Sequence, residues 1–185
     1  FDFARRQEVP IVFRTAGTSL SGQAITDGIL VDLSQHWNKI EIEQEGKVVR
    51  VQPGVRGGMV NARLQALGCK IGPDPASIQA AMMGGILSNN ASGMCCGVKL
   101  NSYHTTRHIR FILPGGQTFS TENSRDYKRF ELECPELYKE LANIREQILA
   151  DSALYEKIRS KYRTKTTIGY ALNAFVDFEH PLDTL

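Results

Sequence analysis

The stretch "RTAGTSLSGQA", residues 14–24, sets one arginine ahead of residues that are nearly all small, with hydroxyls at Thr15, Thr18, Ser19 and Ser21. A backbone this bare lets successive N–H groups close around an anion, an arrangement that binds phosphate without a lysine. The loop is not that of the nucleoside triphosphatases, since no Gly-Lys-Ser/Thr ends it, and it lacks the GxGxxG spacing of a dinucleotide turn. A second segment, "IGPDPASIQAAMMGGILSNNASGMCCG" at 71–97, has the same character. Gly84-Gly85, Asn89-Asn90 and Ser92-Gly93 are expected to supply positive-φ positions and close backbone approach, and Ser77, Ser88, Asn89 and Ser92 neutral donors. Two such loops suit a polyanion or a flat ring better than they suit surface turns alone. His104 and His108 have no carboxylate or cysteine partner at ligand spacing, so they read as surface or loop histidines, and no metal site is expected. The four cysteines, at 69, 95, 96 and 134, form no CxxC pair, and the adjacent two are poorly placed for a disulfide, so reduced thiols are expected.

These residues need elements to hold them. The run Val9 to Phe13 predicts a strand leading into the first loop, and Gly28 to Leu33 a second strand leaving it. Ile40 and Ile42 alternate with Glu41 and Glu43, Glu45-Gly46 can turn, and Val49 and Val51 flank Arg50, which predicts a hairpin closed by Gln52-Pro53-Gly54. Met59, Val60, Leu64 and Leu67 at helical spacing, with Gly68 as a stop, predict an amphipathic helix over 56–67. Ile109 to Leu113 predicts a strand turning at Pro114-Gly115-Gly116. Leu137, Leu141, Ile144 and Ile148 after Pro135 predict a helix, as do Leu154 and Ile158 after a Ser152 cap. Phe1 to Arg6 reads as the last turns of a helix. The fold class is α+β with small strands packed with helices.

Composition narrows the function classes. The chain has 185 residues, 42% of them hydrophobic, and a formal net charge of +2. Its basic residues are dispersed, which gives a nucleic-acid partner little electrostatic support. The longest uninterrupted run of apolar residues and glycine, Ala80 to Leu87, is far too short to cross a bilayer, and no charged-then-apolar leader opens the chain. The expected location is the cytoplasm, with peripheral membrane association left open. A chain that begins at Phe1 reads as a piece of a longer protein.

In order, "RTAGTSLSGQA", "VQPGV", "GPDPAS" with "GGILSNNASG", and "SYHTTRHIRFILPGGQ" resemble the FAD-binding domain of the vanillyl-alcohol-oxidase and p-cresol-methylhydroxylase superfamily. The branch most resembled is that of the FAD-linked D-lactate, glycolate and D-2-hydroxyglutarate dehydrogenases. The likeness runs from about Val9 to Thr118 and resumes at Lys165 to Tyr170, which is similar to the family's "KNTxGY". It implies an incomplete p-cresol-methylhydroxylase-type FAD fold. Residues 1–118 would be a first FAD-binding subdomain, and 119–185 a helical segment with the start of a second, truncated one.

The resemblance also implies a site. Arg14, Thr15, Ala16, Gly17, Thr18 and Ser19 would form the diphosphate loop, with Thr15 where the family usually has glycine. Pro73, Asp74 and Ser77 would lie beside the cofactor. Gly84, Gly85, Asn90, Ala91, Ser92 and Gly93 would lie along the flavin and its ribityl chain, Ser92 replacing a common glycine. Gly17 and Gly85 are read as close-approach positions, where a branched residue would both occupy the ligand's space and resist a positive φ. Tyr103 and Thr106 match "YGTTRD", with His104 in a glycine's place. Thr18 stands where tethered relatives carry a histidine, which implies noncovalent FAD.

The implied activity is oxidation of a D-2-hydroxy acid, with hydride passing to flavin N5 and a base taking the hydroxyl proton. The electron acceptor is not implied. The family places its base and its carboxylate-binding arginine later in the chain, so no residue here receives a catalytic role, and the 185-residue piece is expected to be inactive alone. Two other readings stay open: a flavin reductase of the enolpyruvyl-sugar-nucleotide type, whose loops fit "PDPAS" less well, and a noncatalytic scaffold.

Overall fold

The apolar run after Pro10 extends as β1 (Ile11–Arg14) and the one after Gly28 as β2 (Ile29–Asp32), and the two pair in parallel, Ile11 opposite Ile29 and Arg14 opposite Asp32. Parallel neighbours need a long connection. Here that connection is residues 15–28, the small-residue loop. A short helix α1 (Asp2–Arg6) precedes the pair, as the sequence predicts.

The computed structural model describes residues 1–166 and 171–185. The "KNTxGY"-like stretch falls mostly outside the described residues, from Thr167 to Tyr170. The described chain divides into two units, residues 1–105 and residues 106–166 with 171–185.

In the first unit, β3 (Ile40–Glu43) and β4 (Val48–Val51) form the expected antiparallel hairpin, Ile40 opposite Val51 and Ile42 opposite Val49. A 3-10 turn at Gln44–Gly46 joins them, with all three residues at positive φ. Helix α2 (Gly57–Gln65) is shorter than the spacing predicts. Leu67 lies beyond its end, and the chain stops at Gly68, φ +67°. Val60 and Leu64 are buried, but Met59 and Leu67 are about half exposed, so the apolar face is narrower than the sequence suggests. Val60 and Leu64 pack with Val55, Ile71, Ala81, Met83 and Ile86, and the hairpin's Ile40, Val49 and Val51 cover them. Within the second glycine-rich segment sits α3 (Met83–Ser88), and α4 (Ser102–Thr105) follows.

In the second unit, β5 (Arg110–Ile112) and β6 (Thr118–Ser120) pair antiparallel. They are followed by α5 (Ser124–Glu133), α6 (Pro135–Ala150), α7 (Ser152–Lys161), α8 (Ala174–Asp177) and α9 (Pro181–Thr184). Pro135 opens α6 as expected, where its missing N–H costs nothing. The cap of α7 differs from expectation: Asp151, not Ser152, accepts from the Leu154 amide at 3.0 Å. The carboxylate wins because it is an equally short side chain with a full charge at the positive helix end. Phe119, Phe130 and Leu182 are completely buried, the two rings meeting edge to face at 5.3 Å. All four cysteines are free, and burial pushes the Cys134 thiol above its usual range.

Candidate functional site

The carboxyl ends of β1 and β2 place Arg14 beside Asp32, and the Leu33 amide donates to the Arg14 carbonyl at 2.9 Å. Beyond that bond the backbone pattern changes. Among the described residues, none of the five amides from Thr15 to Ser19 donates to a protein acceptor. Folded proteins pair nearly all such groups or leave them to water or ligand, so these donors are open to either. Gly17 lies at φ +66°, and the Arg14 guanidinium folds so closely over it that a Cβ there would stand 2.7 Å from Nε. A cation therefore overlies the run of donors.

The second segment reaches the first through the chain after "VQPG". Met83 N donates to Val55 O at 2.7 Å and Gly84 N to Pro53 O at 3.0 Å, while Gly57 N donates to Ala81 O and Gly58 N to Ile78 O. These bonds set α3 against Thr15. A Cβ on Gly84 would meet the Pro53 Cβ at 2.6 Å and the Thr15 methyl at 3.1 Å, and one on Gly85 would meet Thr15 Oγ1 at 3.0 Å. Both glycines have ordinary helical backbone, so the expected positive φ at Gly84-Gly85 is not found; close approach is what these positions require. The positive-φ residues of this segment are Asn90, Gly93 and Gly97.

Polar side chains hold the segment from inside. Asn90 is buried, and its Oδ1 accepts from Tyr103 N at 3.0 Å. The buried Ser92 hydroxyl donates to Asn90 O at 2.9 Å, and Ser88 Oγ donates to Gly84 O at 2.7 Å, so these expected donors turn into the fold. Asp74 N donates to Ser92 O at 2.8 Å, and Asp74 bridges to Gly93, where a Cβ would collide with the Asp74 carbonyl. The predicted "PDPAS" and "NNASG" stretches are thus stitched together. Pro73 is buried, Ala91 packs on the core, and Ser77 and Thr18 are exposed. Ser19 Oγ bonds Gln23 Oε1. Thr106 belongs to the second unit.

A cleft of about 500 Å³ opens beside the amide run, lined by Arg14, Thr15, Ala16, Asp32, Ser34, Arg56, Gln79, Ala80 and Met82. Hydrogen bonding from Ser34, side chain and then amide, holds the Asp32 carboxyl below the usual range, with Arg14 adding a smaller part. Six of these lining residues were not read from the sequence. For Asp32 and Ser34 the signal was the parallel register opposite Arg14; for Arg56 it was adjacency to "VQPGV". His104 and His108 are exposed, and among the described residues no cluster of three or more His, Cys, Asp or Glu is gathered.

Residues 1–122 match the family described as FAD binding domain, and the chain belongs to that family. It is 42% identical over 116 residues to a D-2-hydroxyglutarate dehydrogenase of Pseudomonas putida, covering 61% of this chain and 11% of the relative. It is 37% identical over 93 residues to the glycolate oxidase subunit GlcD of Escherichia coli, covering 49% of this chain and 19% of the relative. The chain thus spans about a tenth to a fifth of the length of these relatives. Among solved structures, 6-hydroxy-D-nicotine oxidase from Arthrobacter nicotinovorans superposes with a TM-score of 0.57 at 19% identity, over 68% of this chain and 28% of that one. An alkyldihydroxyacetonephosphate synthase superposes at 0.53 and 20% identity, over 66% of this chain and 23% of that one. These likenesses show the fold: p-cresol-methylhydroxylase type, α+β, and partial. The family's cofactor is FAD, and the donor set fits it, since the unpaired amides from Thr15 to Ser19 suit a diphosphate, while Gly84 and Gly85 let Thr15 of that loop lie close against α3.

Proposed function

We propose that this chain is the FAD-binding portion of a flavin-dependent oxidoreductase acting on a D-2-hydroxy acid, and that it holds FAD without a covalent tether. The observation that carries the reading is the run of unpaired amides from Thr15 to Ser19 beneath Arg14. Those amides and the guanidinium would hold the diphosphate. Gly84, Gly85, Asn90, Ala91, Ser92 and Gly93 would form the close wall of the cofactor site, with Pro73, Asp74, Ser77, Tyr103 and Thr106 around it. Thr18 offers a hydroxyl in place of the imidazole that a tether would use.

Bound FAD supplies a two-electron acceptor that no side chain can provide. The chain's own part is to orient it through fixed donors and to keep water from the face it covers. The substrate class follows from the relatives, since the names D-2-hydroxyglutarate dehydrogenase and glycolate oxidase both denote oxidation of a 2-hydroxy acid. We divide the chain functionally at Thr118, with a first FAD subdomain before it and part of a second after it. No described helix is long and apolar enough to cross a membrane. The four free thiols favour a reducing compartment, the cytoplasm.

Titration of the parent protein with FAD, followed by flavin fluorescence, should give saturable binding, weaker in the 185-residue chain alone, and riboflavin, which lacks the diphosphate, should bind far more weakly. Acid precipitation should leave the yellow colour in the supernatant. Flavin on the washed pellet would overturn the noncovalent reading, and equal affinity for riboflavin would overturn the role of the amides. With FAD saturating and D-lactate, D-2-hydroxyglutarate or glycolate supplied, the chain should reduce an artificial acceptor no faster than free FAD. Faster, substrate-dependent reduction would put a catalytic group within these residues.

A further inference from the structure

Arg56 lines the same cleft as Arg14, Thr15 and Ala16, and among the described residues its guanidinium has no hydrogen bond or ion pair. It caps α2, yet the first amides of that helix are already taken, Gly57 N by Ala81 O at 3.0 Å and Gly58 N by Ile78 O at 2.8 Å. The helix end therefore offers an anion little. What Arg56 brings to the cleft is its side-chain charge.

The other ionisable groups of the cleft are Arg14 and Asp32. Arg14 makes no side-chain hydrogen bond or ion pair among the described residues but adds a coulombic part to the lowering of the Asp32 carboxyl, whose Oδ1 accepts from Ser34 N at 2.7 Å. Two guanidiniums and a row of amides outweigh one carboxylate. The space between them favours a ligand with about two negative charges, and guanidinium forks match phosphate oxygens.

We propose that Arg56 is a second cationic clamp on the cofactor diphosphate, acting with Arg14 in the cleft they both line, so that this chain selects its dinucleotide by charge as well as by backbone amides. The inference rests on the FAD reading above. It assigns Arg56 to binding, not to chemistry.

The test compares FAD, ADP and riboflavin binding to the wild-type chain, Arg56→Gln, Arg56→Lys and, as a control on the same helix, Arg63→Gln. Arg56→Gln should weaken FAD and ADP alike by about tenfold, one charge-assisted contact's worth. Arg56→Lys should recover part of that loss, because the charge remains without the fork. Arg63→Gln should stay within about twofold of wild type. Raising the salt should narrow the gap between wild type and Arg56→Gln, and riboflavin should not distinguish them. FAD and ADP affinities unchanged in Arg56→Gln would overturn the clamp and leave the FAD reading standing. A wild-type chain that binds neither would overturn both. Unfolding curves control for misfolding, and should Arg56→Gln not fold, Arg56→Lys decides: it overturns the clamp if its FAD affinity and salt dependence match wild type.

Discussion

The two units treat polar groups in opposite ways. In the second, charges close on one another: Asp126, 4% exposed, accepts from Ser120 N at 2.8 Å, Asn123 Nδ2 at 2.9 Å and Arg129 at 2.7 Å. Arg129 in turn donates to Thr118 O and Glu133 and lies over the Phe119 ring. Tyr127 donates to Asp183 at 2.8 Å, and burial followed by that carboxylate pushes its hydroxyl up to about 12. In the first unit the donors from Thr15 to Ser19 are left without acceptors, while Asn90, Ser92 and Ser102 brace the loop behind them. A satisfied network contributes stability; an open row of donors keeps capacity for a ligand. Polar residues in a core and polar groups in a site are therefore told apart by whether their partners are already present.

That contrast can be broken by substitution, beginning with the second unit's aromatic centre. Phe130→Ala should cost about 3–5 kcal/mol in chemical unfolding, because the cavity lies among Phe119, Leu182 and Tyr138 with little room to collapse. A loss under about 1 kcal/mol would mean that the closed network carries the unit without its core. Next is Gly93→Ala, for which about 3 kcal/mol is expected from the collision with Asp74 O and the φ of +78° together. Asp126→Ala should cost about 2–3 kcal/mol, since it leaves Ser120 N without its acceptor and removes one partner of Arg129, whereas Thr18→Ala in the open loop should move stability by less than about 0.5 kcal/mol. Equal effects from that last pair would erase the distinction. Gly85→Val should cost only about 1 kcal/mol of stability while abolishing measurable FAD binding, because the new side chain projects toward Thr15. Full flavin retention would reduce Gly85 to a packing residue.

The smallest effect is one of pH. Burial lowers the His180 pKa below its ordinary value near 6.5, with Asp183 and then Glu131 opposing. Its ring meets Tyr127 and Tyr138, and Nδ1 accepts from Leu182 N at 3.0 Å, so the neutral imidazole caps α9. The unfolded chain binds the proton more readily, so this contribution is complete above about pH 6.5 and is lost as pH falls toward the lowered folded value. Stability measured between pH 7 and 5 should decline, and His180→Asn, which keeps a cap acceptor without titrating, should flatten the slope.

Much of the architecture could be read where one period dominates: Ile40, Ile42, Val49 and Val51 for the hairpin, and Leu137 to Ile148 after Pro135 for α6. Helix α5 was missed because only Tyr127, Phe130 and Leu132 punctuate a charged run, and its start lies in Asn123, whose side chain accepts from Arg125 N. Strand β6 carries no apolar run of the kind that marks β5, since Phe119 is its one apolar residue. For the candidate site, the small residues announced both loops, yet their meeting at Thr15 and Gly84-Gly85 depends on hydrogen bonds from residues 53–58 to 78–84, which no local pattern reveals. The serines misled in part, since a hydroxyl looks the same in sequence whether it faces a ligand or its own backbone.

The open row from Thr15 to Ser19 also gives the molecule a clock. An amide hydrogen with no protein acceptor exchanges with solvent without waiting for any part of the fold to open, whereas the amides that bond across β1 and β2 wait for the strand pair to separate. In heavy water the ligand-free chain should therefore label first along the connection from Thr15 to Ala24, between the two strands. Filling the open row with a bound anion converts its exchange rate into the dissociation rate of the ligand, residue by residue.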